Sequence, residues 1–262
     1  MNEKISNDNI GDFANPFDFA NPVSQQALFI GRQEERRDIE YYLDHARNAP
    51  RTINLALLGD RAAGKTSLLN IIEIEAKDRG LLPVRIDLNE SDVETQMAFW
   101  FKIFDTILVE AFQSSGESGA KGIFGGIEGK TWETYLDITA AYEVPPDKKF
   151  VPFLFPTQYA KAMAAGNNEA RVSDQILKRD LARISKEVGD PIVVLIDECN
   201  ILSAERALLE MVRNTFMNLP GFMLVFTGTP DLFPLMDDVF SPIVRQFKRI
   251  EVAPFADLSD TA

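Results

Sequence analysis

The segment from Gly59 to Thr66 has the sequence GDRAAGKT, which is the pattern of a loop that binds phosphate groups. Two glycines, Gly59 and Gly64, allow the tight turn that directs successive backbone N–H groups at an anion. Lys65 is placed to reach the β- and γ-phosphates of a nucleotide, and the hydroxyl of Thr66 is placed to hold Mg²⁺. The sequence therefore predicts a binding site for a nucleoside triphosphate and its magnesium ion.

The residues on either side of this loop support that interpretation. An apolar run from Ile53 to Leu58 precedes the loop, and a helix-compatible run from Ser67 to Ala76 follows it. A strand before the loop and a helix after it are the context in which the pattern is specific. We expect the nucleotide to contact the loop and the first residue of that run, which are Gly59, Asp60, Arg61, Ala62, Ala63, Gly64, Lys65, Thr66 and Ser67.

Two acids follow a second apolar run, from Ile192 to Ile196. A continuous run of Val, Ile and Leu is typical of a strand that is buried on both faces of a parallel sheet. Ligands bind beyond the carboxyl ends of such strands, so we expect Asp197 and Glu198 beside the phosphate loop. Asp197 would help to hold Mg²⁺, directly or through its water shell, and Glu198 would be the general base that activates water. The pair therefore indicates hydrolysis of the bound nucleotide.

The length and composition favour a single α/β domain. At 262 residues, of which 45% are hydrophobic, the chain is long enough for one sizeable core and short for two. No apolar run approaches the length of a membrane span, and the first residues lack the apolar segment of a signal peptide. Cys199 is the only cysteine, which excludes an intramolecular disulfide and fits a reducing compartment. We therefore expect a cytoplasmic protein with no membrane segment.

The charge of the chain disfavours nucleic acid as its partner. The formal net charge is −13, whereas proteins that bind nucleic acids generally carry a basic surplus or a basic stripe. The densest basic pairs, at residues 36–37 and 148–149, have acids beside them and are typical of a solvated surface. A basic patch assembled in three dimensions stays an alternative, but a protein partner is the expectation.

The start of the chain divides into two parts. Residues 1–28 contain the repeated sequence FANP, which predicts an extended strap that packs on its own domain or on a neighbouring subunit. Phe29, Ile30, Gly31 and Arg32 then precede a helix predicted from about residue 34 to 46. We interpret these four residues as a wall for the nucleotide base, with the alternative that they are a plain loop before a helix.

Strands alternate with helices along the rest of the chain, which predicts a parallel sheet covered by helices on both faces. Beyond the two strands already described, strands are expected at 84–88, 222–226 and 250–252, and helices at 93–112, 172–188 and 204–219. An insertion at about 114–170 interrupts this alternation, with a flexible glycine- and serine-rich part at 114–130 and an irregular proline-rich part at 144–156. It is either a surface insertion or an element that recognises a partner.

Assembled in order, these segments resemble the AAA+ superfamily of ATPases, most closely its initiator, transposition-regulator and signalling branch. The resemblance spans residues 29–255 and rests on five elements, which are 29–32, 59–66, 197–198, 227–229 and Arg245. It implies an α/β, three-layer P-loop NTPase fold with a central, mainly parallel five-stranded sheet. It also implies ATP and Mg²⁺ as ligands and a homo-oligomer as the working form, although the residues alone do not separate ATP from GTP.

The resemblance also implies roles for single residues. In the family a polar residue after the fourth strand senses the γ-phosphate, and Thr227 or Thr229 matches that position. Arg245 matches the arginine finger that reaches a neighbour's γ-phosphate, with Arg249 as the competing candidate. Residues 256–262 match the approach to a helical lid that the family usually carries, which we expect to be missing or truncated.

The sequence thus predicts a Mg²⁺-dependent oligomeric switch that binds and hydrolyses ATP and acts on a macromolecular partner. The alternative is a nucleotide-gated scaffold that binds DNA or protein with little turnover. A small-molecule kinase is disfavoured, because the pair Asp197 and Glu198 favours water as the nucleophile.

Overall fold

The computed structural model of the protein describes residues 31–49, 51–123, 153–167, 170–217, 219–232, 234, 238 and 247–254. The helices are α1 (Gln33–Asn48), α2 (Lys65–Asp78), α3 (Glu90–Val93), α4 (Gln96–Ile123), α5 (Leu154–Ala164), α6 (Asp174–Val188) and α7 (Arg206–Phe216), with a 3₁₀ helix at Cys199–Ala204. The strands are β1 (Asn54–Leu58), β2 (Leu82–Asp87), β3 (Ile192–Asp197), β4 (Phe222–Gly228) and β5 (Phe247–Glu251). None of the helices in these ranges is long and apolar enough to cross a membrane.

The five strands form one sheet in the order β2-β3-β4-β1-β5, and all four neighbouring pairs are parallel. Parallel strands end at the same edge of a sheet, so the carboxyl ends of β1, β4 and β3 lie side by side. Those ends lead into the phosphate loop, the segment at 227–229 and the acid pair respectively. The predicted five-stranded parallel sheet is therefore confirmed, and its strand order brings three predicted site segments to one edge.

Strand β1 shows why the fold has three layers. Leu55 and Leu57 belong to an apolar cluster with residues of α1 and α2, whereas Ala56 and Leu58 belong to a second cluster with residues of α4, α6 and α7. All four side chains are buried. Successive side chains of a strand point to opposite faces of the sheet, so each face needs its own covering of helices. This burial on both faces fixes the position of β1 and, with it, the start of the phosphate loop.

The predicted elements exist, but several boundaries differ. Strand β2 begins at Leu82 rather than residue 84, and β5 begins at Phe247 rather than residue 250. β5 is an edge strand with exposed positions at Arg249 and Glu251. Because these positions are polar, the sequence lacks the continuous apolar run by which the buried strands are recognised. Boundaries of this kind are the least reliable part of a sequence-based prediction.

The insertion differs more from expectation. Helix α4 continues to Ile123, into the part that we expected to be flexible, although each of its glycines at 116, 119 and 122 costs about 1 kcal/mol in a helix. In the part expected to be irregular, Phe153 and Phe155 are fully buried with ring centroids 5.7 and 5.4 Å from that of Phe104. The buried carboxylate of Asp180 also accepts the backbone N–H of Phe155 at 2.8 Å. This end of the insertion is thus part of the core, while residues 124–152 lie outside the described residues.

Candidate nucleotide-binding site

The phosphate loop joins β1 to α2 by a turn that needs glycine at its start and near its end. Gly64 has φ 89°, in the left-handed region, and Lys65 begins α2 directly after it. A Cβ on Gly59 would lie 2.2 Å from the carbonyl oxygen of Val252, which is the position reached by the chain just after β5. Any larger residue at position 59 would therefore push the loop away from the sheet.

The amino end of α2 is suited to an anion. Its cap residue, Gly64, has no side chain to offer, and no side-chain cap hydrogen bond is formed there. The first four N–H groups of a helix have no acceptor within the helix, and the helix dipole adds partial positive charge at this end. The loop therefore presents backbone donors and a positive potential to a phosphate group, as the sequence predicted.

Lys65 lies over the loop rather than away from it. Its Nζ donates hydrogen bonds to the carbonyl oxygens of Gly59 at 2.8 Å and Asp60 at 2.7 Å. The ammonium group is held at the concave side of the turn by neutral acceptors, which an anionic phosphate oxygen can replace with a stronger, charge-assisted bond. The position of Lys65 thus fits the role of phosphate partner.

Arg32 contacts the loop in a way that the sequence did not predict. Its Nη2 donates to the carbonyl oxygen of Ala63 in the loop at 2.6 Å and to that of Ala253, beyond β5, at 2.5 Å. Its Nη1 pairs with Glu35 at 2.9 Å, and only 5% of the side chain is exposed. Arg32 therefore links the loop to the chain beyond β5. The predicted contact of Arg32 and Gly31 with a nucleotide base stays a prediction.

Replacing Arg32 with alanine is expected to destabilise the fold and to weaken nucleotide binding together. The substitution leaves the carbonyl oxygens of Ala63 and Ala253 without this charged donor, and hydrogen bonds to charged groups contribute roughly 1.5–3 kcal/mol each. We expect the free energy of unfolding to fall by about 2 kcal/mol or more in urea titrations. Arg37→Ala is the matched control, because Arg37 is exposed on α1, the helix that follows Arg32. Equal stability of the two variants would contradict this linking role.

The two predicted metal-side residues meet at the other wall of the site. The hydroxyl of Thr66 donates to Oδ2 of Asp197 at 3.0 Å, although 131 positions separate them in the chain. A hydroxyl and a carboxylate oxygen are the hard ligands that Mg²⁺ prefers. Throughout the described ranges no group of three or more His, Cys, Asp or Glu side chains is arranged to hold a metal. Thr66 and Asp197 together supply few ligands, so they fit a magnesium ion that is shared with nucleotide phosphates, which is how Mg²⁺ usually binds in such sites.

Glu198 follows Asp197 with an unusual backbone conformation. Its φ of 53° and ψ of 38° lie in the left-handed region, which costs a non-glycine residue roughly 1–2 kcal/mol. Its N–H donates to Oδ1 of Asp197 at 3.0 Å and to the hydroxyl oxygen of Thr227 at 3.1 Å, and these bonds support the turn. The side chain is exposed at the site edge. This places a carboxylate where water and a bound phosphate could both reach it.

The two candidate sensor threonines make different contacts. Thr227 is buried, and its hydroxyl donates to Oδ1 of Asp197. Thr229 is half-buried and pairs twice with Asn200, accepting from its Nδ2 at 2.6 Å and donating its backbone N–H to its Oδ1 at 2.8 Å. Thr227 therefore orients the metal-side acid, and Asn200 joins the segment after Glu198 to the end of β4. Which threonine senses phosphate stays a prediction.

Two further residues reach Asp197 or its surroundings without having been predicted. Arg85 on β2 donates to Oδ2 of Asp197 at 2.7 Å, and it also contacts Asn70 on α2 at 3.2 Å. For Arg85, the sequence feature that could have indicated a role in the site is a charged residue inside an otherwise apolar part of a strand. Asn200 is the second residue, and its weaker indication is a polar residue just after the acid pair.

Cys199 lies beside the site but is not equipped as a nucleophile. Its side chain is fully buried, and burial raises the pKa of its thiol, which stays protonated as a result. The thiol donates to the carbonyl oxygen of Ile196 at 3.3 Å. Cys199 is therefore a packing residue of the turn after β3.

Phe29, Ile30 and Arg245 lie outside the described residues, so their predicted roles stay predictions, as do those of the strap at 1–28 and of residues 256–262. The competitor Arg249 is described. It lies on the edge strand β5 and pairs with Glu251 at 2.9 Å.

Comparisons with known proteins give distant similarities. No family model matches the chain. A curated relative, an uncharacterised HTH-type transcriptional regulator of Methanocaldococcus jannaschii, is 25% identical over 244 residues, which are 88% of this chain and 52% of the relative. Among solved structures, the Orc1 protein of Aeropyrum pernix in complex with DNA is 17% identical with a TM-score of 0.42, covering 93% of this chain and 50% of that one. Cdc6p of Pyrobaculum aerophilum is 14% identical with a TM-score of 0.43, covering 88% and 47%.

The chain thus spans about half the length of the relatives that it matches. Its own structure carries the assignment of the fold. It has a parallel five-stranded sheet, a glycine-bounded loop between β1 and α2, and a hydrogen bond between Thr66 and Asp197. The parallel sheet with helices packed on both of its faces is a three-layer α/β fold, which is the architecture that the resemblance implied.

Proposed function

We propose that this protein binds ATP with Mg²⁺, hydrolyses it, and acts as an oligomeric switch on a macromolecular partner in the cytoplasm. The observation that carries the proposal is the 3.0 Å hydrogen bond between Thr66 and Asp197. It brings the end of the phosphate loop against the acid end of β3, so the two halves of a nucleotide site share one edge of the sheet.

The phosphate chain is bound by groups that are already in position. The backbone donors at the start of α2 and the ammonium group of Lys65 face the same concave turn, and both favour an anion. A bound Mg²⁺ would neutralise charge on the phosphate oxygens, with Thr66 and Asp197 as its protein-side ligands. Arg32 helps to hold the loop in place by its bond to Ala63.

Hydrolysis needs a base for the attacking water, and Glu198 supplies it. The exposed carboxylate of Glu198 accepts the proton as the water attacks, while the backbone N–H of the same residue stays bonded to Asp197 and Thr227. These bonds fix the backbone of the turn, so the side chain of the base starts from one position in the site. Preorganisation of this kind is a large part of how such sites lower a barrier.

Single-turnover hydrolysis by the unchanged chain tests the proposal. Purified protein in excess over labelled ATP and Mg²⁺ should convert ATP to ADP, and the same assay with GTP identifies the preferred base. The control is protein in EDTA, which should bind ATP more weakly and release no phosphate. Tight binding of ATP without turnover, alone or with partners added, would overturn hydrolysis as the function.

The second candidate is a nucleotide-gated scaffold, and one observation favours DNA as its ligand. The relative from Methanocaldococcus jannaschii is described as an HTH-type transcriptional regulator, and it matches over 88% of this chain. The net charge of −13 argues against a DNA-binding surface on this part of the protein. DNA retention that depends on ATP, with no turnover, would select this candidate over the switch.

Arg245 is proposed to act across a subunit interface as the arginine finger. Mixing Lys65→Ala protein with Arg245→Ala protein should restore part of the hydrolysis that each variant has lost. A mixed interface can pair an intact phosphate loop with an intact finger, whereas neither homo-oligomer can. Hydrolysis by unchanged protein should also rise faster than linearly with its concentration.

Arg249→Ala is the control for this experiment, because Arg249 lies nearby in sequence and pairs with Glu251 on the same strand. If the mixture stays inactive while each variant still assembles with unchanged protein, Arg245 is not the finger. An Arg249→Ala variant that loses hydrolysis on its own and regains it when mixed with Lys65→Ala protein would instead assign the role to Arg249.

A further inference from the structure

Arg85 connects three elements of the site through one guanidinium group. Its Nη2 donates to Oδ2 of Asp197 on β3 at 2.7 Å, its Nη1 to Oδ1 of Asn70 on α2 at 3.2 Å, and its Nε to Oδ1 of Asp87 on β2 at 3.0 Å. Only 22% of the Arg85 side chain and 10% of the Asp197 side chain are exposed. The ion pair is therefore largely shielded from solvent, where charges interact more strongly than on a surface.

Asp197 has no spare acceptor capacity in this arrangement. Its Oδ2 accepts from Thr66 at 3.0 Å and from Arg85 at 2.7 Å, and its Oδ1 accepts from the Glu198 N–H at 3.0 Å and from the Thr227 hydroxyl. An ionised carboxylate offers about four lone-pair sites. All of them are engaged by protein donors, and one of those donors carries a full positive charge.

We propose that Arg85 gates the metal site, by occupying the Asp197 oxygen that a divalent cation needs and by repelling the cation until nucleotide phosphates accompany it. The proposal rests on the proposed function, because it concerns the same metal-side acid. Without the guanidinium, Thr66, Asp197 and Asp87 would present hard oxygen ligands to any free divalent cation. With it, one of the two negative charges is offset and an oxygen of Asp197 is occupied, and the cation binds only as a complex with the nucleotide.

The direction of the effect follows from charge. A cation that arrives alone must displace a bonded guanidinium from Oδ2 and then lie beside it, and both steps are unfavourable. A cation that arrives with ATP brings phosphate oxygens, which compensate the positive charge of both groups and supply most of its coordination shell. Arg85 thereby makes metal binding conditional on the nucleotide, which a purely structural ion pair would not do.

The test measures the affinity for Mn²⁺ with no nucleotide present. Binding is monitored as a decrease in the electron paramagnetic resonance signal of free Mn²⁺. Arg85→Gln should bind Mn²⁺ at least roughly tenfold more tightly than unchanged protein. In the presence of a non-hydrolysable ATP analogue, the difference should fall below about threefold, because the phosphates then offset the guanidinium. Circular dichroism and thermal melting establish that the variant is folded.

Two controls make the result specific. Lys77→Gln also removes one positive charge, but from the far end of α2. Lys77 lies twelve residues after Lys65, roughly 18 Å along the helix, so this variant should bind Mn²⁺ as unchanged protein does. The double variant Arg85→Gln/Asp197→Asn should lose the gain, because it removes the carboxylate that the gate protects. Arg85→Met, which replaces the side chain by an apolar one of similar length, serves if Arg85→Gln does not fold, with the same expected gain.

Equal Mn²⁺ affinity of unchanged and Arg85-substituted protein without nucleotide would overturn the proposal, as would a gain that survives Asp197→Asn. The deciding measurement contains no nucleotide, so its outcome does not depend on whether the protein binds or hydrolyses ATP. If the protein does not bind ATP at all, the arm with the analogue fails while the nucleotide-free arm still reports on the gate.

Discussion

Lys65→Ala is expected to weaken ATP binding by at least roughly thirtyfold, which at ordinary probe concentrations amounts to loss of binding. Removing one partner of a charge pair in a binding site costs about 2 kcal/mol or more, and each 1.4 kcal/mol is tenfold in affinity. Nζ of Lys65 lies 2.8 and 2.7 Å from two carbonyl oxygens of the loop, so the ammonium group is already where the phosphates would bind. Equilibrium binding of labelled ATP with Mg²⁺ measures the effect.

Lys77→Ala is the matched control for that experiment, because Lys77 is on the same helix with 62% of its side chain exposed. Its affinity for ATP should equal that of unchanged protein. A folded Lys65→Ala variant with unaltered affinity would rule out the phosphate-loop assignment, and with it the proposed function.

Glu198→Gln is expected to keep ATP bound and to slow its hydrolysis at least roughly tenfold, which is about 1.4 kcal/mol of added barrier. Glutamine is nearly the same size but cannot accept the proton of the attacking water. The bonds that hold the turn come from the backbone N–H of residue 198, so the substitution leaves them in place. The chemistry should therefore change without a change in the site's shape.

The rate is measured in a single turnover, with ATP affinity measured in parallel. Glu205→Gln is the control, since Glu205 is an exposed acid that follows the same 3₁₀ helix and makes no side-chain capping bond to α7. A Glu198→Gln variant that hydrolyses ATP at the unchanged rate would exclude Glu198 as the base and leave Asp197 or an unassigned residue in that role.

Local sequence patterns encode two parts of the candidate site, and the functional roles of both stay predictions. The loop at 59–66 and the acids at 197–198 each occupy a few consecutive residues whose types the chemistry dictates. Their meeting at one sheet edge followed from the rule that parallel strands end together. The bond between Thr66 and Asp197 is the direct consequence. For these segments, residue types and strand–helix alternation contained enough information to predict the fold and the proximity of the two segments at one sheet edge.

The contacts that the sequence did not predict join residues far apart in the chain. Arg85 meets Asp197 across 112 positions, and Arg32 meets Ala253 across 221. The sequence does not identify the partner of an arginine in a strand or before a helix, because many acceptors along the chain are chemically equivalent. Such contacts depend on strand register and loop path, which are properties of the packed fold.

The two hydrogen bonds that Arg32 makes to distant backbone carbonyls have a thermodynamic consequence. One guanidinium joins the carbonyl oxygen of Ala63, in the nucleotide loop, to that of Ala253, where the chain leaves β5. A ligand that shifts the loop therefore perturbs the path of the chain after β5, and whatever holds that path perturbs the loop. Linkage requires the two effects to be equal, so a partner that binds beyond β5 changes nucleotide affinity by the same factor by which nucleotide changes the affinity of the partner.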